Sequence, residues 1–106
     1  MTKVFIVGPI KGSPGNIHDE FLKAEELLKS NGHKVSHPYT VFDDMNNCGF
    51  KDEEYLTHCV AELIHCNAIV TLLEWDRDPN AEALVKIARI LKKVIMPITQ
   101  LIKDNQ

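Results

Sequence analysis

The hydrophobic period changes repeatedly along the chain, alternating the continuous apolar runs of buried strands with the three-to-four-residue stripes of helices. Val4 to Val7 reads as a strand buried on both faces. Residues 8–16 then gather glycines, prolines and a lysine into one loop. Asn16 stands as a helix cap with Asp19 three residues on, and Ile17, Phe21, Ala24, Leu27 and Leu28 fall on one helical face. Asn31 and Gly32 supply the stop. "HKVSHP" (33–38) reads as a short second strand ended by Pro38. Residues 39–50 form a polar loop without period, long for a compact domain and therefore a place to look for function.

Asp52 opens a second helix, with Tyr55, Leu56, Cys59, Val60, Leu63 and Ile64 as its apolar stripe. "AIVTLLEW" (68–75) reads as the third strand. Asp78 caps a third helix that has Pro79 at its first position and runs through Leu91. "KVIMPI" (93–98) is the fourth strand, and "QLIKDNQ" (100–106) a polar tail. Strands apolar on both faces, each followed by a helix, define an α/β fold with a parallel sheet covered by helices. Right-handed crossovers then predict a flavodoxin/Rossmann-like three-layer sandwich, its four-stranded parallel sheet in the order 2-1-3-4 with three helices. In such a sheet ligands bind beyond the carboxyl ends of the strands, where the strand order reverses. The loops there are "GPIKGSPG" (8–15) and "EWDRDPNA" (74–81).

Composition narrows this picture. A chain of 106 residues is expected to be a single domain over 1–106, with one modest core. A formal charge of −3 gives no electrostatic case for nucleic acid or an anionic membrane as partner. No apolar stretch is long enough to span a bilayer, and a strand follows "MTK" directly. The expectation is therefore a cytoplasmic protein without a leader. Three cysteines (Cys48, Cys59, Cys66) make no disulfide framework. "HC" at His58-Cys59 recurs at His65-Cys66, but seven residues on a helix span roughly 10.5 Å, too far for two ligands of one tetrahedral zinc. Small buried cysteines on an apolar face, with no metal and no cofactor, are the expectation.

The order "VFIVGPIKG…NGHKVSHP…EEYLTHCVAELIHCNAIVTLLEW", followed by a capped helix, resembles the nucleoside 2-deoxyribosyltransferase-like superfamily across nearly the whole chain. The likeness is greatest to its small bacterial and phage branch, which is related to the deoxynucleoside 5'-monophosphate N-glycosidases. The resemblance implies a nucleoside-type ligand and a chemistry in which a glutamate of the third helix attacks the anomeric carbon. An aspartate of the second helix serves proton transfer there, and a first-strand tyrosine positions the nucleophile. Carried over by position, the glutamate falls on Leu84, the aspartate on Cys59 and the tyrosine on Phe5, while Asn67 stands where aspartate is common. All three chemical groups are thus replaced by apolar or thiol side chains.

Two carboxylates stand as substitutes. Glu74 lies at the expected end of the third strand, and Glu82 lies on the third helix, where Lys86 four residues on makes it a solvated ion-pair partner. Asp43, Asp44, Glu53 and Glu54 are further candidates for a non-standard catalytic carboxylate. The binding loop survives better: Gly8, Pro9, Ile10, Lys11 and Gly12 form it, the glycines allowing close backbone approach and positive φ. Lys11 stands where the monophosphate glycosidases carry a basic residue for phosphate. Asp78, by contrast, occupies the cap where they carry a serine, and its charge repels a phosphate there. Trp75 and Tyr39 are candidates to stack on a base, and Asp76 to bond a sugar hydroxyl, each with a plain packing or turn role as the alternative. His37, Asn80 and Ala81 complete the expected ligand-binding set. The expectation is a protein that binds a nucleoside or nucleotide and no longer turns it over, acting as a homodimer through the second helix or as a higher homo-oligomer. The alternative is an active N-glycosidase or deoxyribosyltransferase with a non-standard carboxylate.

Overall fold

Val, Phe and Ile favour extended backbone, and β1 (Lys3–Val7) sends successive side chains to opposite sides of the sheet. Phe5 and Val7 enter one core cluster, Val4 and Ile6 another. In the computed structural model, which describes residues 3–9, 17–38 and 52–100, this strand is the frame for everything else. Parallel pairing joins it to β2 (Lys34–Ser36) on one side and β3 (Ala68–Thr71) on the other, and β4 (Val94–Pro97) pairs with β3. The order is therefore β2-β1-β3-β4, as the period changes predict.

Helix α1 (Ile17–Ser30) covers one face through Phe21, Ala24 and Leu28, which meet Val4, Ile6, Val70 and Leu72. Helices α2 (Asp52–Ile64) and α3 (Pro79–Ile90) cover the other through Cys59, Leu63, Leu84, Val85 and Ala88. On α2, Leu56, Cys59, Val60 and Leu63 are thus taken up by the chain's own core, with Ile64 left half-exposed at its end. The "HC" repeat divides as expected for plain packing: both cysteines are buried and both histidines face outward. Among the described residues no group of His, Cys, Asp or Glu is arranged to hold a metal, and no helix is long and apolar enough to cross a membrane.

Both α1 and α3 end in the same device. His33 N–H reaches Leu28 O at 3.1 Å and Gly32 N–H reaches Lys29 O at 3.0 Å, with Gly32 at φ +85°. In α3 the matching bonds run from Lys93 to Ala88 (2.9 Å) and from Lys92 to Arg89 (3.0 Å), with Lys92 at φ 58°. The helix ends at Ile90 with Leu91 as its cap.

Three expected boundaries move. The second strand is confined to Lys34–Ser36, and β4 ends at Pro97 because Ile98 begins a helical turn. The third strand stops at Thr71 rather than reaching Trp75. Leu72 N–H still bonds Val7 O at 2.8 Å, but Trp75 N–H then turns back onto Leu72 O at 3.3 Å, and a 3-10 turn occupies Trp75–Arg77. Expectations resting on Ile10, Lys11, Gly12, Asn16, Tyr39, Asp43, Asp44, Cys48, the loop over 39–50 and the tail beyond Gln100 lie outside the described residues, as do the side chains of Glu53 and Tyr55.

Gly8 is needed for packing, not for a positive φ. A Cβ built there meets Leu72 Cδ1 at 2.7 Å and Phe21 Cζ at 3.0 Å, and both side chains are buried. Overpacking of a filled core costs about 1–3 kcal/mol. Gly8→Ala is accordingly expected to lower stability by that amount in urea unfolding, with Leu72→Ala in the same chain recovering part of the steric cost.

Candidate functional site

The carboxyl ends of β1 and β3 carry the two loops singled out by the sequence. Gly8 and Pro9 leave β1 there, both buried. Beyond β3 the backbone reverses at Glu74, which adopts the left-handed conformation (φ 61°, ψ 23°) rare for a residue with a Cβ. Glu74 therefore lies three residues past the strand in a turn, not at its end, with its carboxylate exposed and 3.5 Å from Arg77. Trp75 is half-buried against the α2–α3 core, and Asp76 is exposed.

Asp78 closes this turn and starts α3. Its carboxylate accepts from Asn80 N–H at 2.9 Å, Pro79 follows at the first helical position, and Asp78 itself is 1% exposed. A helix N-terminus is a ready anion site, but here the protein's own carboxylate occupies it. Asn80 is buried beside it, and Ala81 is buried in the core cluster. Glu82 pairs with Lys86 at 3.1 Å, both of them in contact with solvent, as their spacing predicts.

The three positions matched to the transferase chemistry come together in space. Phe5 (β1), Cys59 (α2) and Leu84 (α3) are each 0% exposed and belong to one apolar cluster. Asn67, ahead of β3, does a frame's work: it donates N–H to Lys3 O at 2.8 Å and accepts Lys3 N–H on Oδ1 at 3.1 Å.

His37 turns away from that cluster toward α1. Its Nε2 lies 2.9 Å from Glu25 Oε1, and its ring packs 5.4 Å from that of Phe21. Glu25 also holds Lys29 at 2.6 Å. Burial pushes the Glu25 carboxyl up, but the hydrogen bonds from Lys29 and His37 outweigh it and leave it below the ordinary glutamate range. Sequence reasoning missed Glu25, although its place one turn after Phe21 on the flank of the apolar stripe is a usable signal.

At the opposite, amino end of the sheet an open groove of about 730 Å³ is lined by Lys3, Lys34, Ser36, His58, Glu62 and His65 among others. Lys3 Nζ donates to Glu62 at 2.8 Å. That bond holds the Glu62 carboxyl low against burial, with help from Ser36, and raises the Lys3 ammonium. Lys93 Nζ donates to Ile64 O at 2.9 Å, at the negative end of α2. These charges serve the frame. Burial likewise pushes the Cys66 thiol up, away from reactivity.

Known proteins place this architecture. A 2-deoxyribosyltransferase from Bacillus psychrosaccharolyticus, a biocatalyst for antiviral and antitumoral nucleosides, superposes with a TM-score of 0.65 at 18% identity, over 90% of this chain and 70% of its own. A conserved protein from Enterococcus faecalis V583 superposes with a TM-score of 0.63 at 16% identity, over 92% of this chain and 62% of its own. No curated protein matches in sequence. The chain has the nucleoside 2-deoxyribosyltransferase-like fold. It belongs to the family described as a domain of unknown function (DUF4406), which matches residues 2–97.

Glu25 and Glu62 both sit below their unfolded values, so the unfolded chain binds protons first as pH falls. The stability they contribute is complete above the ordinary glutamate value of 4.5 and is lost as pH drops through their lowered values. Thermal melts across this acid range should show a falling Tm, and Glu62→Gln should flatten part of that fall.

Proposed function

We propose that this protein binds a nucleoside or nucleotide at the carboxyl end of its sheet and does not transfer its deoxyribosyl group, holding the ligand instead of consuming it. The observation that carries this reading is the joint burial of Phe5, Cys59 and Leu84 in one apolar cluster. Covalent transfer needs an ionised carboxylate that touches the sugar, and a leucine sealed in a core offers neither charge nor access. The capped N-terminus of α3 favours a nucleoside, or a nucleotide whose phosphate lies elsewhere, with Lys11 as the candidate phosphate partner. A second reading, turnover through Glu74, is favoured by its left-handed backbone beside the carboxyl end of β3.

A thermal-shift screen of nucleosides, nucleotides and ADP-ribose derivatives should raise Tm for at least one ligand, recovered uncleaved. Deoxynucleosides and their monophosphates should release no base. Turnover abolished by Glu74→Gln or Glu82→Gln would overturn the binding reading in favour of the enzyme. Leu84→Glu alone should unfold the protein, since it places a carboxylate in a dry core.

We further propose a homodimer as the working form. Ile90 and Val94 are 77% and 59% exposed and lie outside the chain's own core. Sedimentation should give twice the chain mass, and Ile90→Lys with Val94→Lys should shift it to the monomer.

A further inference from the structure

The left-handed turn at Glu74 has a geometric result. It sets Glu74 and Trp75 opposite the segment that follows β4, and between them opens a cleft of about 140 Å³. A water needs about 10–15 Å³ on this measure, and sites for drug-sized ligands run to roughly 300–1,000 Å³. The cleft has room for one flat ring system and not for a whole nucleotide. Its lining includes Trp75, Pro97, Leu72, Leu73 and Ile98, with Thr71 and Thr99 beside them. Aromatic and apolar residues of this kind suit a planar, weakly hydrated ring.

The polar side chains at this cleft are those of Glu74, Thr71 and Thr99, and only Glu74 is charged. Glu74 brings a carboxylate, which only accepts hydrogen bonds and has two oxygens to accept with. Its Arg77 partner is 3.5 Å away, with both side chains 57% exposed, a loose surface pair that yields readily to a better donor set. Two parallel N–H groups on one edge are the natural complement to a carboxylate. Among the common nucleobases only guanine presents a ring N–H beside an exocyclic amino group on the same edge. Hypoxanthine keeps the ring N–H and lacks the amino group, whereas adenine and cytosine set their amino group beside an acceptor nitrogen. Leu72 also joins the cleft to the first loop, because its side chain lies against Gly8 on its other flank.

We infer that this cleft is a base-recognition subsite for a guanine-type ring, with Trp75 as its wall and the Glu74 carboxylate accepting from the paired N–H donors. The inference rests on the nucleoside-binding reading and gives it a base. It assigns Glu74 to recognition, which also accounts for a strained turn that places a carboxylate there.

Trp75 is the chain's one tryptophan, so intrinsic fluorescence reports on this cleft alone. Titrations with guanosine, inosine, adenosine and cytidine should quench it most tightly with guanosine, at least tenfold tighter than with inosine. Glu74→Gln should bring guanosine to the level of inosine with Tm unchanged, and Glu74→Asp should keep part of the preference. Equal affinity for guanosine and inosine, or a preference that survives Glu74→Gln, overturns the inference. Nucleosides that shift Tm without changing the fluorescence also overturn it, and leave the nucleoside-binding reading standing. Absence of any shift with every nucleoside and nucleotide removes both.

Discussion

Two-sided burial of β1 is the constraint on which the rest depends. Four consecutive side chains alternate between two cores, and the sheet has no other strand that touches both helix layers so fully. Phe5 is the pivot of the α2–α3 side, where it meets Cys59 and Leu84. Close-packed interiors leave no slack for a hydroxyl or a carboxylate without its own partners. The residues that secure the fold therefore stand at the positions where the resemblance expects chemistry. The volume that Phe5, Cys59 and Leu84 fill is given to packing.

Fixed charge is distributed by the same logic. Asp78 neutralises the start of α3, Lys93 the end of α2, and Glu62 ties Lys3 to the second strand's Ser36. Glu25 is divided between Lys29 and His37. Each group satisfies backbone or a neighbour that folding would otherwise leave uncompensated. Among the described residues, the acids at the carboxyl end of β3 that are not given to the frame in this way are Glu74 and Asp76, both exposed on one short turn.

How much of this was legible in the sequence follows from what each signal encodes. Strand–helix alternation, the Asp78-Pro79 cap and the Asn31-Gly32 stop are local, and the sheet order follows from them once crossovers are right-handed. The end of β3 was not legible. Leu72 is as apolar as the strand before it, yet it serves the α1 side after the chain has left the sheet, and period alone does not separate these cases. The left-handed turn was hidden too, because it falls on Glu74 and Lys92 rather than on glycine. The packing role of Gly8 was hidden as well, because a glycine demanded by Phe21 and Leu72 looks the same in sequence as one demanded by a ligand. The Glu25–His37 pair joins residues twelve apart in different elements, a contact only the folded sheet creates.

These observations bear on what kind of site the carboxyl end can be. Glycosidic exchange needs carboxylates on both sides of a sugar, one to attack or assist and one to move a proton. Here Asp78 is committed to Asn80, Glu82 to Lys86 on the outside of α3, and Glu74 with Asp76 share one turn on one side. Across from that turn the described lining residues are Pro97, Ile98 and Thr99, none of them an ionisable acid or base. On the reading proposed above, a cleft with one acidic residue among apolar ones and two threonines discriminates ligands by hydrogen-bond pattern and shape. That distribution of acids is the ground on which we propose recognition without turnover.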